Sequence, residues 1–499
     1  MCVQEKRISW LIREYIMICK LVEPTIKSDN PFENCKLDRQ RYAHILTKVI
    51  CQNNGCVFSI DGEWGSGKTT FVRMWKQSLM NEGFNVLYFN VWEHDFISDP
   101  IIGMVSQFRA MNGIEKVKAS FAGFTAAAGK VASGMIPSLV KGLVKKYVSE
   151  DAVEVIESAA ESISHSFDKI IDEYVEQCQS MEEFRKALEN LVESSTQEGK
   201  PLVFIIDELD RCNPHFAVKV LERIKHLFNV PNIVFVLSID KQQLLHSICG
   251  YYGSEKLNAE EYLKRFIDIE YRLPDPDVDK FTNYLYDIYE FDTFFASEAR
   301  KRYFQRDKEK EEFLRMAKII FESMHLNLRQ MEKIFGHIRL ALQTFGENQQ
   351  VSPGTFLMIM YFRANESDFY RQIKNKELSA QEMLSQIENV LPNSIFIENE
   401  NNKYTVFGYA VWGIAQLMVS YCLDMSGRQI EPLLKKNNTN NTNNTTNDTY
   451  KLLITPRIIP VSEFQRAIEW YYNHIFGNEK VVPLGYLIQH IELLSPVHD

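Results

Sequence analysis

The stretch CVFSIDGEWGSGKTTFVRMWKQSLM, residues 56–80, decides the fold. Its first six residues are a short apolar run of strand character, and TFVRMWKQSLM then spaces Phe71, Trp75 and Leu79 at helical intervals. Between the two, Gly62, Gly65, Gly67, Lys68 and Thr69 satisfy G-x-x-x-x-G-K-[ST]. Phosphate binding requires this order of strand, glycine-rich loop and helix. The glycines let backbone N–H groups close around phosphate oxygens, and the helix N-terminus adds its positive dipole. Lys68 would reach the β and γ phosphates, and Thr69 would hold Mg²⁺. With Glu63, Trp64, Ser66 and Thr70, these residues form the expected ATP-binding loop. A glycine turn that matches by accident is disfavoured, because Gly is only 22 of 499 residues and the flanking structure also fits.

Working outward, LDRQRYAHILTKVI (37–50) has helical spacing and precedes the first strand, while NVLYFNVW (85–92), PLVFIIDE (201–208) and NIVFVLSID (232–240) read as further buried strands. A helix over 216–229 separates the last two. This β-α alternation predicts an α/β domain, a parallel sheet in a three-layer α/β sandwich. VFIIDE ends in Asp207 and Glu208 at a strand terminus, where such sheets present their ligand crevice. Asp207 is expected in the Mg²⁺ shell, and Glu208 is expected to orient or deprotonate an attacking water. Alone, the acidic pair would read as a helix cap; the glycine-rich loop in the same chain favours catalysis.

The 499 residues are long enough for about three domains at roughly 150 residues each. Hydrophobic residues at 45% and charged residues at 24% are those of a globular protein rather than a collagen or a polytopic membrane protein. The net charge of -10 and the lack of basic-aromatic interleaving speak against a nucleic-acid partner. Nine scattered cysteines, without a C-x-x-C pair, predict reduced thiols in a cytoplasmic protein.

The interval 93–200 reads as an all-helical insertion. Lys116, Lys118, Lys130, Lys141, Lys145 and Lys146 occur between residues 116 and 148 without an acidic residue, and Ala119, Gly123 and Ala127 recur at four-residue spacing. Such a stripe suits a peripheral contact with the inner face of a membrane or an acidic protein partner. The alternative is internal packing beside the acidic helices of 150–177, which sequence proximity favours. After LPDPD (273–277) the chain turns helical, and NNTNNTNNTTND (437–448) is a low-complexity stretch with nothing to bury, expected to be a disordered loop. The apolar run 405–423 contains Gln416 and Ser420 and reads as a core helix rather than a membrane span. The C-terminal third carries no motif with chemistry.

GEWGSGKTTF, FNVWEHDF, IIDELDRC and VLSIDKQQL together resemble the KAP family of P-loop NTPases, over about residues 31–345. Trp64 in the loop, the Asn90-Val91-Trp92 strand end and the Leu209-Asp210-Arg211-Cys212 extension narrow the likeness from P-loop NTPases in general to this family. The resemblance implies a relation to the AAA+ and STAND classes, membrane-associated helices inserted between the nucleotide motifs, and a role such as bacterial phage exclusion. It implies Ser238 or Asp240 as a sensor facing the γ-phosphate. It also implies Arg329 in NLRQMEKIF as the lid arginine, with Leu328 where the family more often has Pro. Arg211 and Arg265 are its two options for a finger acting in trans, and each also reads as a solvated or structurally paired side chain.

The expected organisation is an N-terminal helix (1–30), an NTPase core (31–272) with its insertion (114–196), a helical lid (273–345) and a mainly helical C-terminal domain (346–499). The expected activity is Mg-dependent ATP hydrolysis coupled to conformational change, in a homo-oligomer. The alternative is a nucleotide-gated scaffold at a membrane surface with negligible turnover.

Overall fold

Four apolar runs become adjacent parallel strands, two of them buried at every position and so on both faces, the other two partly exposed. They are β1 (Cys56–Asp61), β2 (Val86–Asn90), β3 (Leu202–Asp207) and β4 (Ile233–Ile239), and β5 (Ile269–Arg272) completes the sheet. All neighbours are parallel, in the order β2-β3-β4-β1-β5. The computed structural model describes residues 24–53, 55–97, 99–109, 118–134, 156–196, 200–254, 256–298, 300–302, 308–346, 348–396, 406–436, 450–474 and 481–492. These fall into two compact units, one spanning Pro24–Asp275 and one that starts at Pro276.

Period two decides which helix each strand residue meets. Val203 and Ile205 of β3 pack with α1 (Gln40–Cys51) and α2 (Lys68–Asn81), in a core that holds Leu46, Ile50, Phe71 and Trp75. Leu202, Phe204 and Ile206 point to the opposite face. That second core is covered by α3 (Pro100–Gln107), α4 (Lys118–Gly134), α5 (Ile156–Ser195), α6 (Pro214–Leu227), α7 (Lys241–Tyr252) and α8 (Ala259–Leu263). The result is the expected three-layer α/β arrangement. The expected helix over 216–229 is α6, which starts earlier because Asn213 caps it by accepting from the His215 N–H and Pro214 occupies its first turn.

β5 was not expected. Its sequence IEYR alternates charge with apolar residues and offers no buried run, and it pairs on one side only, with β1. Of the expected N-terminal helix (1–30) only residues 24–30 are described, and these have no helical structure, in a segment bounded by Pro24 and the Asn30-Pro31 turn. Residues 1–23 lie outside the described residues.

Within the insertion, α4 and α5 pack through Phe124 against Phe184, with ring centroids 5.2 Å apart, and Leu188 and Leu191 extend the same buried stripe. Ala127 of the small-residue series is buried in this contact, while a Cβ at Gly123 would meet open space. Lys130 of the basic stripe pairs with Glu183 of α5 at 2.8 Å. Lys116, Lys141, Lys145 and Lys146 lie outside the described residues.

The second unit is helical: α9 (Val278–Ile288), α10 (Asp292–Phe295), α11 (Lys308–Ser323), α12 (Leu328–Leu342), α13 (Pro353–Asn365), α14 (Ser367–Lys374), α15 (Ala380–Val390), α16 (Val406–Tyr421), α17 (Val461–His474) and α18 (Leu484–Glu492). A small antiparallel pair, β6 (Leu434–Lys436) and β7 (Tyr450–Leu452), flanks the Asn/Thr-rich stretch, which is outside the described residues. The apolar run 405–423 supplies α16, which packs against α11, α13 and α17. Its Gln416 accepts a 3.0 Å hydrogen bond from the buried Thr355 hydroxyl, which satisfies the one amide the run carries into the core. Among the described residues no helix is long and apolar enough to cross a membrane.

Trp75 anchors α2, and hence the glycine-rich loop, to α1: it is fully buried and donates through Nε1 to the Thr47 hydroxyl at 3.0 Å. Trp75→Ala is therefore expected to destabilise the protein by about 3–5 kcal/mol, read as a lowered denaturation midpoint.

Candidate nucleotide-binding site

Register assembles the site. The last residues of adjacent strands stand side by side, Asn90 beside Asp207 and Asp207 beside Ser238, and the Gly62 N–H donates to the Ile239 carbonyl at 3.2 Å. The carboxyl ends of β1 to β4 thus form one edge, the position at which open α/β sheets bind ligands. Gly65 and Gly67 have φ of 81° and 83°, a left-handed backbone that a side chain would oppose. Gly67 then caps α2, and Lys68, Thr69 and Thr70 are its first three residues.

Lys68 is only 8% exposed. Its ammonium donates to the Gly62 carbonyl and, at 3.0 Å, to the Glu63 carbonyl. Burial lowers its pKa, while the nearby carboxylates, Asp210 first, oppose that shift. Trp64 fastens the loop tip to two strand ends. Its backbone N–H donates to Asp240 Oδ2 at 3.0 Å, and its indole Nε1 donates to Asp210 Oδ2. Asp240 also accepts from the Gln243 N–H and so caps α7.

Asp207 is buried, with Oδ2 accepting from the Tyr88 hydroxyl at 2.9 Å and Oδ1 from the Glu208 N–H at 3.1 Å. Glu208 has a left-handed backbone, φ 63°, a strained state for a residue with a side chain. Its carboxylate accepts from the Asn90 amide at 3.2 Å and pairs with Arg211 at 2.6 Å. Burial pushes its pKa up, and Arg211 opposes this.

The edge also holds polar atoms in need of a ligand. Among the described residues, Ser66 Oγ, Asn90 Oδ1, Asp210 Oδ1 and Ser238 Oγ are buried without a hydrogen-bond partner. Buried polar groups are nearly always satisfied, so this group fits a polar occupant. The donor set of backbone N–H groups, one ammonium, a hydroxyl at Thr69 and the Asp207 carboxylate suits a phosphate chain with its Mg²⁺.

Of the sequence-derived candidates, the loop residues Gly62 to Thr70, Asp207, Glu208, Ser238 and Asp240 share this edge. Arg211 does too, but in cis, bound to Glu208 of its own chain. Arg265 follows α8 as an exposed side chain, and its carbonyl accepts from Lys225 Nζ at 2.7 Å. Arg329 is the second residue of α12 in the other unit, where a capping box between Asn327 and Gln330 starts the helix and Leu328 is buried at its first position.

Sequence reasoning gave three residues of this edge no role in the site. Arg39, 3% exposed, donates to the Ser66 carbonyl at 2.7 Å and the Gly67 carbonyl at 3.1 Å, and burial lowers its pKa to about 10. Nothing in its own segment announces this. Asn90 could have been found as the polar terminus of an apolar strand. Asp210, buried with a raised pKa, is the acceptor for the Trp64 indole.

The fold and this edge define a P-loop nucleotide-binding domain. The KAP family P-loop domain matches residues 39–345, and the chain belongs to that family. It is 23% identical over 259 residues to the phage T7 exclusion protein of Escherichia coli (strain K12), a match covering 47% of this chain and 32% of that protein. Among solved structures it is similar to the Aeropyrum pernix ORC2 protein, with a TM-score of 0.32 and 11% identity over 96% of this chain and 98% of that one. It is also similar to C. elegans PCH-2, with a TM-score of 0.28 and 15% identity over 67% and 70%.

Arg39→Ala is expected to remove the guanidinium from the Ser66 carbonyl and to leave the Gly67 carbonyl with only the Phe71 N–H, and so to weaken nucleotide affinity by about tenfold. Titration with a fluorescent ATP analogue checks this, and Arg39→Lys, which cannot span both carbonyls, should recover only part of the loss.

Proposed function

We propose that this chain is a Mg-dependent ATPase that couples nucleotide binding and hydrolysis to conformational change. The observation that carries the reading is the single edge on which Lys68, the paired Asp207 and Glu208, and four unpartnered buried polar atoms converge. Lys68 would exchange the Gly62 and Glu63 carbonyls for phosphate oxygens, and the backbone donors of Gly65 to Thr69 would orient the phosphate chain. Mg²⁺, when bound at Thr69 and Asp207, would offset phosphate charge. Glu208 would orient an attacking water and take its proton, a task that a raised carboxylate pKa suits. Ser238 Oγ is free to sense a γ-phosphate.

The name of the Escherichia coli relative supports placing this activity in defence against phage. Because the match covers only 32% of that protein, the shared NTPase region is what supports the extension. Plating efficiency of phage on a bacterial host expressing the chain, with Lys68→Ala as control, tests it. A second reading, a nucleotide-gated scaffold with slow turnover, is favoured by one observation: both Glu208 oxygens are already engaged, by Asn90 and Arg211.

Two outcomes are expected of the site. Lys68→Ala abolishes ATP binding, whereas Glu208→Gln keeps it and slows hydrolysis by about a hundredfold or more, as paired binding and turnover assays would show. Assembly into a homo-oligomer would let the exposed Arg265 reach a neighbour's phosphates. Mixing Lys68→Ala with Arg265→Ala subunits is then expected to restore activity that neither has alone, since a finger supplied in trans contributes about a thousandfold.

A further inference from the structure

The residues that hold Glu208 belong to one small arrangement that reaches the surface. After the left-handed Glu208, residues Leu209–Arg211 form a 3-10 turn, in which side chains three apart lie one above the other. That turn brings Arg211 back over Glu208, with Nη1 2.6 Å from Oε1. The guanidinium also lies 5.5 Å from the ring centroid of Trp92. Trp92 is 49% exposed and opens a second 3-10 turn, Trp92–His94, whose Glu93 accepts from the Asn90 amide at 2.9 Å. Asn90 is itself the other donor to Glu208, at 3.2 Å. Thus the turn after β2 touches both partners of the carboxylate. The Asn213 N–H, which bonds Asp95 at 3.4 Å, ties it to the start of α6.

We propose that Arg211 is a clamp in cis on Glu208, held in place by Trp92, and that opening this clamp raises turnover. The proposal rests on the ATPase reading. A carboxylate that orients water needs an oxygen free to accept from it, and an ion pair of 2.6 Å on Oε1 with an amide on Oε2 competes for both. Arg211 is then a restraining and positioning residue rather than a finger. A partner surface need only shift the turn of Trp92 to weaken both contacts at once, which gives the exposed aromatic a control function.

The test uses the full-length protein with Mg-ATP. Arg211→Ala is expected to raise kcat by about threefold with KM for ATP unchanged, the population shift that loss of one partly exposed ion pair implies. Amide exchange over residues 90–97 and 207–212 should accelerate in the same variant. Trp92→Ala should move both readouts in the same direction by less, and Arg211→Lys, which keeps charge but not the planar face, should lie between. A fall in kcat for Arg211→Ala would overturn the proposal, because the guanidinium would then assist the reaction. Unchanged kcat with unchanged exchange would overturn it too. If wild type and variants bind ATP without hydrolysing it, the ATPase reading fails while faster exchange in Arg211→Ala still upholds the clamp, and unchanged exchange rejects that as well. Should Arg211→Ala not fold, Trp92→Ala carries the same outcomes.

Discussion

Lys68 is 8% exposed, and a cation taken out of water must be solvated by what surrounds it. Here two loop carbonyls take its hydrogens, and Asp210, Asp240, Asp207 and Asp61 surround it with negative charge. Those carboxylates come from the ends of β1, β3 and β4, so the ammonium is tolerable only while the strands keep their register. The same carboxylates hold the rest of the loop: Asp240 and Asp210 bind Trp64, and Asp61 accepts from the Lys241 N–H at 2.9 Å at the start of α7. Loop, strand ends and helix start are in this way one electrostatic unit.

Arg39 does the complementary work from outside. Its guanidinium binds the carbonyls of Ser66 and Gly67 and so fixes the orientation of the peptide units at the end of the loop. A buried arginine with carbonyl partners is costly, as its depressed pKa indicates, and planar, forked donors serve two neighbouring carbonyls as an ammonium cannot.

Elsewhere two buried charged side chains are well paired. In the helical unit the buried Arg300 binds both oxygens of Glu309, at 2.7 and 3.1 Å, and the Gln349 carbonyl at 2.7 Å. The Glu388 carboxylate accepts from the N–H groups of Arg457, Ile458 and Ile459, at 2.8 to 3.2 Å. Such saturation rigidifies a fold. At the nucleotide edge, by contrast, four buried polar atoms are left open. Of the seven such atoms among the described residues, four lie at this one edge, and Thr282, Ser352 and Ser420 of the helical unit carry the others.

What the sequence alone determined was whatever depends on local pattern. Glycines at 65 and 67, an apolar run before them and helical spacing after them are short-range constraints, and they specified the loop, its strand and its helix. Asp207 and Glu208 were legible because they end such a run. Tertiary structure decided the rest. Arg39 lies 27 residues from the carbonyl of Ser66, and Asn90 lies 118 from Glu208, separations at which no periodicity speaks. The strand β5 has no apolar run of its own, and its place follows from an open edge on β1. Arg211 sits three residues from Glu208, yet its role as a partner in cis depends on the left-handed backbone at Glu208 and on a tryptophan from the turn after β2. Hydrogen bonds and ion pairs require positions in space, and only the parallel register of the sheet supplies them.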